Sequence, residues 1–278
     1  MAFIDDQLIL FKQRIEEAIV SKGSEGKTSV IRSSGLIQLI HDAIKYELIL
    51  QGISPNNIFP KLYETKPEIN LAGFFKQKKQ DICVVPSNIK KVKRIIDWGP
   101  LGYLNRIDQY GAEYSQNTLV INVRSQMSSL GKNTDTLFER TFAESYNLHI
   151  EYPGIVLGEV FLIPVNEYDA DAVKKKKVAF SERLTNLELY ITFFNAINNR
   201  SDVESDDDTN DFRYERCALM IVDFNRKEPF LYNSTDELVR DNLIRKDFPI
   251  EIAELSFKTF AENLIRVYAS RHNIENLN

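Results

Sequence analysis

Apolar residues recur every three or four positions in two N-terminal segments, which predicts two amphipathic helices at the start of the chain. The first covers residues 4–20 and the second residues 36–50. Between them, residues 23–28 imitate a phosphate-binding loop, but that motif requires a glycine where Ser21 stands and a strand before it. We therefore expect a polar turn between two helices.

Runs of aliphatic and β-branched residues predict the strands of a central sheet. Residues 81–85, closed by Pro86, and residues 118–124 have strand length and are expected to be neighbouring core strands. Further strands are predicted at residues 154–165 and 217–224, and further helices at residues 133–148, 182–197 and 254–271. This order of elements favours an α/β fold with a central mixed β-sheet flanked by helices.

The length of the chain limits the number of domains that it can form. With 278 residues, of which 43% are hydrophobic, the chain fits one domain over residues 1–278 that carries insertions. Residues 1–50 form its N-terminal helices. Residues 87–117 lie between two predicted core strands and contain glycine, proline and several tyrosines, so we expect an ordered insertion there.

The composition and the charge of the chain indicate which classes of protein are compatible with the sequence. No apolar run is long enough to cross a membrane and the first residues are acidic, so we expect a cytoplasmic protein. Cys83 and Cys217 lie in apolar runs and are expected to be buried free thiols. The net charge of −5 disfavours non-specific binding of polyanions, although a locally basic groove remains compatible with it. Residues 202–208 are expected to be a solvated acidic loop, and residues 174–177 a solvated linker or a phosphate contact.

The strand at residues 118–124 carries a polar stripe. Side chains alternate between the two faces of a strand, so Asn122, Arg124 and Gln126 share one face while apolar residues occupy the other. Two interpretations remain open: one wet face of an edge strand, or the wall of a functional site. Asp81, which begins the other predicted core strand, supports the second interpretation.

A second carboxylate follows this stripe on the next predicted helix. Glu139 stands three residues after Thr136, either as part of a capping box or projecting from the first helical turn toward Asp81. Glu47 is an alternative second ligand, although it is expected to be an exposed helical carboxylate. Two carboxylates with a cation and an amide nearby are the groups that magnesium-assisted phosphodiester hydrolysis requires. His149 and His272, by contrast, stand at helix ends, where capping or surface roles are expected.

Three segments together resemble the type II restriction endonucleases of the PD-(D/E)XK nuclease superfamily: QDICV (residues 80–84), INVRSQMSS (121–129) and DTLFER (135–140). The superfamily has an Asp at the start of one core strand, an acidic-X-Lys triplet on the next strand and a helix behind. Some members that cut CCGG-like sites move the acidic residue onto that helix, about thirteen positions after the lysine. Glu139 follows Gln126 by thirteen positions.

The resemblance implies a restriction-endonuclease-like core with Asp81 and Glu139 as Mg²⁺ ligands. Arg124 or Gln126 would replace the strand lysine, with Arg124 orienting groups rather than acting as a base. It further implies hydrolysis of a specific double-stranded DNA sequence, a homodimer and a cognate DNA methyltransferase. Residues 87–117, with the basic cluster at residues 90–94, are the expected DNA-contacting region. The alternative is a non-enzymatic interaction or DNA-binding module.

Overall fold

The computed structural model describes residues 2–200 and 210–277, so the acidic run at residues 202–208 lies outside the described residues. The helices are α1 (Phe3–Arg32), α2 (Ser34–Leu50), α3 (Ala112–Gln116), α4 (Leu130–His149), α5 (Ala170–Lys174), α6 (Leu187–Ala196), α7 (Thr235–Arg240) and α8 (Phe257–Arg271). The strands are β1 (Ile58–Phe59), β2 (Asn70–Ala72), β3 (Gln77–Lys79), β4 (Ile82–Val84), β5 (Arg94–Ile95), β6 (Ile107–Asp108), β7 (Leu119–Ser125), β8 (Val156–Pro164), β9 (Asn166–Tyr168), β10 (Phe180–Leu184), β11 (Arg216–Asp223) and β12 (Phe230–Tyr232).

A six-stranded mixed sheet forms the centre, with strand order β1-β4-β7-β8-β11-β12. The pairs β7–β8 and β8–β11 are parallel, while β1, β4 and β12 pair antiparallel with their neighbours. All nine residues of β8 are buried, as expected for a central parallel strand covered on both faces. The predicted α/β architecture is therefore confirmed, including β4 and β7 as neighbours.

The alternation of side chains along the strands divides the core into two apolar layers. Helices α1, α2 and α8 contribute to the layer that contains Ile121 and Val160, whereas α4 and α6 contribute to the layer that contains Val120 and Leu157. Cys83 and Cys217 are free and buried in the second layer, as predicted. Within residues 2–200 and 210–277, no helix is both long and apolar enough to cross a lipid bilayer.

The prediction of a polar turn at residues 23–28 is wrong, because these residues belong to α1, which continues to Arg32. Gly23 alone leaves the helical conformation there, with φ 60° and ψ −133°. Glycine tolerates this positive φ at low cost, and a Cβ at this position would lie 2.9 Å from the carbonyl oxygen of Val173. The glycine therefore kinks the helix where it passes α5.

Two predicted helix starts are also corrected. Residues 180–184 form β10, paired with β9, and α6 begins only after Asn186, whose side chain accepts a hydrogen bond from the backbone N–H of Leu189. Helix α4 begins at Leu130, three residues before the predicted start. Its first backbone N–H groups, those of Ser129 and Leu130, donate to the carboxylate of Glu167. A cap supplied from β9 leaves no local sequence signal.

Residues 87–117 contain the β5–β6 ribbon and α3. Asp108 is fully buried and organises the ribbon, since its carboxylate accepts hydrogen bonds from Arg94 Nε and from the backbone N–H groups of Tyr110 and Gly111. Arg94 also pairs with Glu151, just beyond α4. The segment is thereby joined to the main body near the C-terminal end of α4.

Candidate functional site

Asp81 lies immediately before β4, at the point where this strand meets the middle of β7. Its Oδ2 accepts a hydrogen bond from the backbone N–H of Val123 at 2.9 Å. Burial raises the pKa of Asp81 above its ordinary value, although this hydrogen bond and the nearby Lys78 and Arg124 favour the charged form. The antiparallel pairing of β4 with β7 thus brings Asp81 to the polar stripe, as the sequence suggested.

The polar stripe on β7 is enclosed rather than wet. Strand β7 lies between β4 and β8, so the edge-strand interpretation is wrong. Asn122 and Gln126 are buried, and the side chain of Arg124 is only 17% exposed. Buried polar side chains require hydrogen-bond partners, and the partners of these three side chains on the α4 side of the sheet define the candidate site.

Arg124 is the centre of the partner network. Its Nη1 donates to Glu159 Oε1 at 2.7 Å and to Thr141 Oγ1 at 2.9 Å, while its Nη2 donates to Glu144 Oε2. Burial opposes the charge, yet Glu159 and Glu144 raise the pKa of Arg124 above its ordinary value. Arg124 is therefore a permanent cation, which fits a role in orienting anionic groups and excludes a role as a base.

Glu159 lies on β8 directly opposite Asn122 in the parallel register, and its side chain is fully buried. Its Oε2 has no hydrogen-bond partner in the part of the chain that the structure describes. Burial raises the pKa of Glu159 to about 8, although Arg124 opposes this effect. The sequence did carry a signal that we missed: a single charged residue inside the apolar run 155–165.

Lys78 reaches the same place from the β2–β3 hairpin. Its Nζ lies 2.5 Å from Glu144 Oε2 and 3.5 Å from Asn122 Oδ1. The hairpin is held on α4 by Asn147, whose Oδ1 accepts from the backbone N–H groups of Phe75 and Lys76. The polar pattern of residues 77–79 gave no indication of a strand, so this lysine was missed.

Glu144 is the α4 carboxylate that enters the site. Burial would raise its pKa, but Arg124 and Lys78 outweigh burial and lower it below the ordinary value. Its spacing from Thr141 and Leu148 places it on the inward face of the helix, a signal available in the sequence. We call Lys78, Asp81, Arg124, Glu144 and Glu159 the Asp81 cluster.

The remaining sequence candidates lie elsewhere. Glu139 is exposed in the third turn of α4, five positions before Glu144, so the predicted capping box and the predicted first-turn position are both wrong. Gln126 donates from Nε2 to the carbonyl oxygen of Ser129 at 3.2 Å, where the chain turns into α4. Glu47 is half-buried on α2, whose apolar residues pack on the opposite face of the sheet.

A second ionic cluster surrounds Glu215, just before β11. Glu215 Oε1 accepts from Arg200 and Arg271, and its Oε2 accepts from the backbone N–H of Leu157 and faces His149 Nε2 at 3.3 Å. The predicted surface or capping role for His149 is wrong, since its side chain is fully buried at the end of α4. Arg200 also pairs with Asp211 at 2.7 Å. We call His149, Arg200, Asp211, Glu215 and Arg271 the Glu215 cluster.

Metal-binding capacity follows from the donors of the Asp81 cluster. Carboxylate oxygens are the correct ligands for a hard cation such as Mg²⁺, which commonly uses one or two carboxylates together with substrate phosphates. Across residues 2–200 and 210–277, no group of three or more His, Cys, Asp or Glu side chains is arranged to hold a metal ion. Asp81 and Glu144 supply oxygen donors of the kind that Mg²⁺ prefers.

Comparison with known proteins adds no relative: no family model matches the chain, and no curated protein or solved structure matches it significantly.

Proposed function

We propose that the chain is a Mg²⁺-dependent endonuclease that hydrolyses phosphodiester bonds in a specific double-stranded DNA sequence. One observation carries the proposal: Asp81, at the start of β4, lies against the Asn122-Val123-Arg124 segment of the adjacent strand, with a carboxylate-bearing helix behind. This is the order of elements that the resemblance to restriction endonucleases implied. The pairing of β4 with β7 supports the proposal because it brings Asp81 into contact with Val123, which lies 42 positions later in the sequence.

The proposed roles follow from the chemistry of the side chains. Asp81 and an α4 carboxylate would hold Mg²⁺, which when bound activates a water molecule and offsets negative charge on the attacked phosphate. Glu144 is supported as the α4 ligand because its charge lies close enough to Asp81 to raise the pKa of that carboxyl group, while the role of Glu139 remains a sequence-based prediction. Arg124 would orient the phosphate, and Gln126 would hold the β7–α4 connection in place.

DNA contact is proposed for residues 87–117. Lys90, Lys93 and Arg106 are exposed there and can meet backbone phosphates, whereas Arg94 is already paired with Asp108 and Glu151. A twofold homodimer would present two such sites to a palindromic sequence, and a cognate DNA methyltransferase would complete the system. Light scattering of the purified protein tests the dimer, which a monomer both with and without DNA would contradict.

The decisive experiment incubates the protein with mixed-sequence plasmid DNA and Mg²⁺ and then sequences the ends that form. Asp81→Asn is expected to lower the cleavage rate by more than about a hundredfold, because even residues that only support metal ligands contribute about 10–100-fold. Asp171→Asn, the same change at a fully exposed carboxylate, is the matched control and should cleave normally. Full activity of Asp81→Asn would remove this residue from the site.

A second candidate function is a non-enzymatic interaction or DNA-binding module. It is favoured by the two cations, Lys78 and Arg124, that already partner Glu144 as in a structural ion-pair network. Calorimetry with Mn²⁺ in the presence of duplex DNA separates the two functions. The nuclease should bind the cation in a manner that depends on Asp81, whereas the module should show no carboxylate-dependent signal.

A further inference from the structure

Two cations converge on one carboxylate oxygen in the Asp81 cluster. Lys78 Nζ lies 2.5 Å from Glu144 Oε2, and Arg124 Nη2 donates to the same atom. An ammonium group and a planar guanidinium directed at one oxyanion are the groups with which proteins bind phosphate. In the free protein, Glu144 thus occupies a position suited to a phosphate oxygen.

Burial distinguishes the partner that can leave from the one that cannot. The side chains of Lys78, Arg124 and Glu144 retain 26%, 17% and 15% of their exposure, whereas Glu159 retains none. A ligand from solvent can therefore reach the two cations at Glu144, while the contact between Arg124 and Glu159 stays enclosed. Glu144 also projects from a helix, where a rotation of its side chain moves the carboxylate without moving the backbone.

We propose that Lys78 and Arg124 form a binding site for a DNA backbone phosphate, which Glu144 fills in the free protein and vacates when the phosphate binds. The proposal rests on the proposed nuclease function. Phosphate takes over the two cations, and the released Glu144 carboxylate becomes free to join Asp81 around a divalent cation. No covalent bond changes in this exchange.

A thermodynamic consequence follows from the shared carboxylate. If DNA releases the group that the divalent cation needs, DNA and cation must each raise the affinity for the other by the same factor. Cleavage would then be confined to DNA that has already placed a phosphate on Lys78 and Arg124. The free protein would hold divalent cations weakly.

The chain provides a matched pair of lysines for the test. Lys78 and Lys79 are consecutive on β3, so their side chains point to opposite sides of the strand. Lys79 is 66% exposed and pairs with Glu68. Lys78→Met removes a proposed phosphate ligand, whereas Lys79→Met removes the same charge from the same strand outside the site.

Binding of a fluorescently labelled pool of short random-sequence duplexes, measured by anisotropy in EDTA, tests the exchange. Glu144→Gln should bind the duplexes about tenfold or more tightly than the unsubstituted protein, because a competing like charge next to the phosphate is removed. Adding Lys78→Met to this variant should abolish the gain, while adding Lys79→Met should leave most of it. Equal affinity of Glu144→Gln and the unsubstituted protein would overturn the proposal.

A second measurement uses the unsubstituted protein, so it does not depend on the folding of any variant. Its Mn²⁺ affinity, measured by calorimetry, should rise when the random-sequence duplex pool, in which a specific target is rare, is present. An Mn²⁺ affinity that is indifferent to duplex overturns the exchange.

The plasmid experiment keeps this inference separate from the proposed function. Plasmid cleavage without any gain in Glu144→Gln binding overturns the exchange and leaves the nuclease intact. A gain in binding without plasmid cleavage supports the phosphate site and overturns the nuclease.

Discussion

Two buried ionic clusters lie along α4, and they differ in how completely their carboxylates are satisfied. In the Glu215 cluster, both oxygens of Glu215 have partners, and two carboxylates meet two arginines and a histidine. In the Asp81 cluster, Glu144 pairs with both Lys78 and Arg124, Glu159 pairs with Arg124 through Oε1, and Glu159 Oε2 has no partner among the described residues.

The pKa shifts of the two buried glutamates express the same difference. Burial raises the pKa of both, but His149, Arg271 and Arg200 overcome it for Glu215 and lower its pKa to about 2. Arg124 does not overcome burial for Glu159, whose pKa remains raised to about 8. A buried carboxylate with partners on both oxygens stabilises the fold, whereas a buried carboxylate that lacks them is a candidate functional group.

The largest effect on stability is expected from Glu215→Gln. The change leaves Arg200 and Arg271 without their shared carboxylate in a buried site, so the free energy of unfolding should fall by about 3–5 kcal/mol. Urea denaturation measures it. Glu188→Gln is the matched control, because Glu188 pairs with Arg245 at the surface and should cost less than about 1 kcal/mol. Similar costs for the two variants would contradict the structural role of the Glu215 cluster.

Acid should remove the same contribution without a mutation. The folded-state pKa of Glu215 is lowered from 4.5 to about 2, so its stabilisation is complete above pH 4.5 and is lost as the pH falls toward 2. The shift corresponds to about 3 kcal/mol. Denaturation curves of the unsubstituted protein and Glu215→Gln should converge across this interval. Parallel curves would show that Glu215 does not titrate there.

Below about pH 4.5, Glu159→Gln should change stability by less than about 1 kcal/mol, since an amide replaces a carboxyl group that is protonated in both the folded and the unfolded state and still accepts from Arg124. The sign of its pH dependence is opposite. A raised folded-state pKa gives stability that is present below pH 4.5 and is lost as the pH rises toward 8. The stability of Glu159→Gln relative to that of the unsubstituted protein should therefore increase as the pH rises from 4.5 to 8. A constant difference in stability would contradict the raised pKa of Glu159.

The smallest effect is expected from Glu139→Gln. Glu139 is exposed in the middle of α4, away from any cap, so its substitution should change the free energy of unfolding by no more than about 0.5 kcal/mol. A thermal melt measures this change. Plasmid cleavage by Glu139→Gln and by Glu144→Gln then decides which α4 carboxylate serves the proposed nuclease. We expect Glu144→Gln to lose activity, whereas loss in Glu139→Gln alone would restore the sequence-based assignment.

The sequence by itself determined the succession of the main core elements, the pairing partners β4 and β7, and the buried thiols Cys83 and Cys217. It also placed Asp81 near the polar stripe of β7. These features depend on periodicity, which reports how each segment is buried regardless of what covers it. The strands β3 and β10 escaped prediction because polar residues dominate them, and β2 because it has only three residues.

Only the tertiary structure decided which charged groups meet. Lys78 and Glu144 are 66 positions apart, and Arg124 and Glu159 are 35 apart, so their contacts depend on strand register and on where α4 crosses the sheet. The cap of α4 by Glu167 and the burial of His149 against Glu215 arise in the same way. The sequence does not distinguish a charged residue that faces water from one that faces a partner, because packing rather than the neighbouring residues in the chain selects the partner.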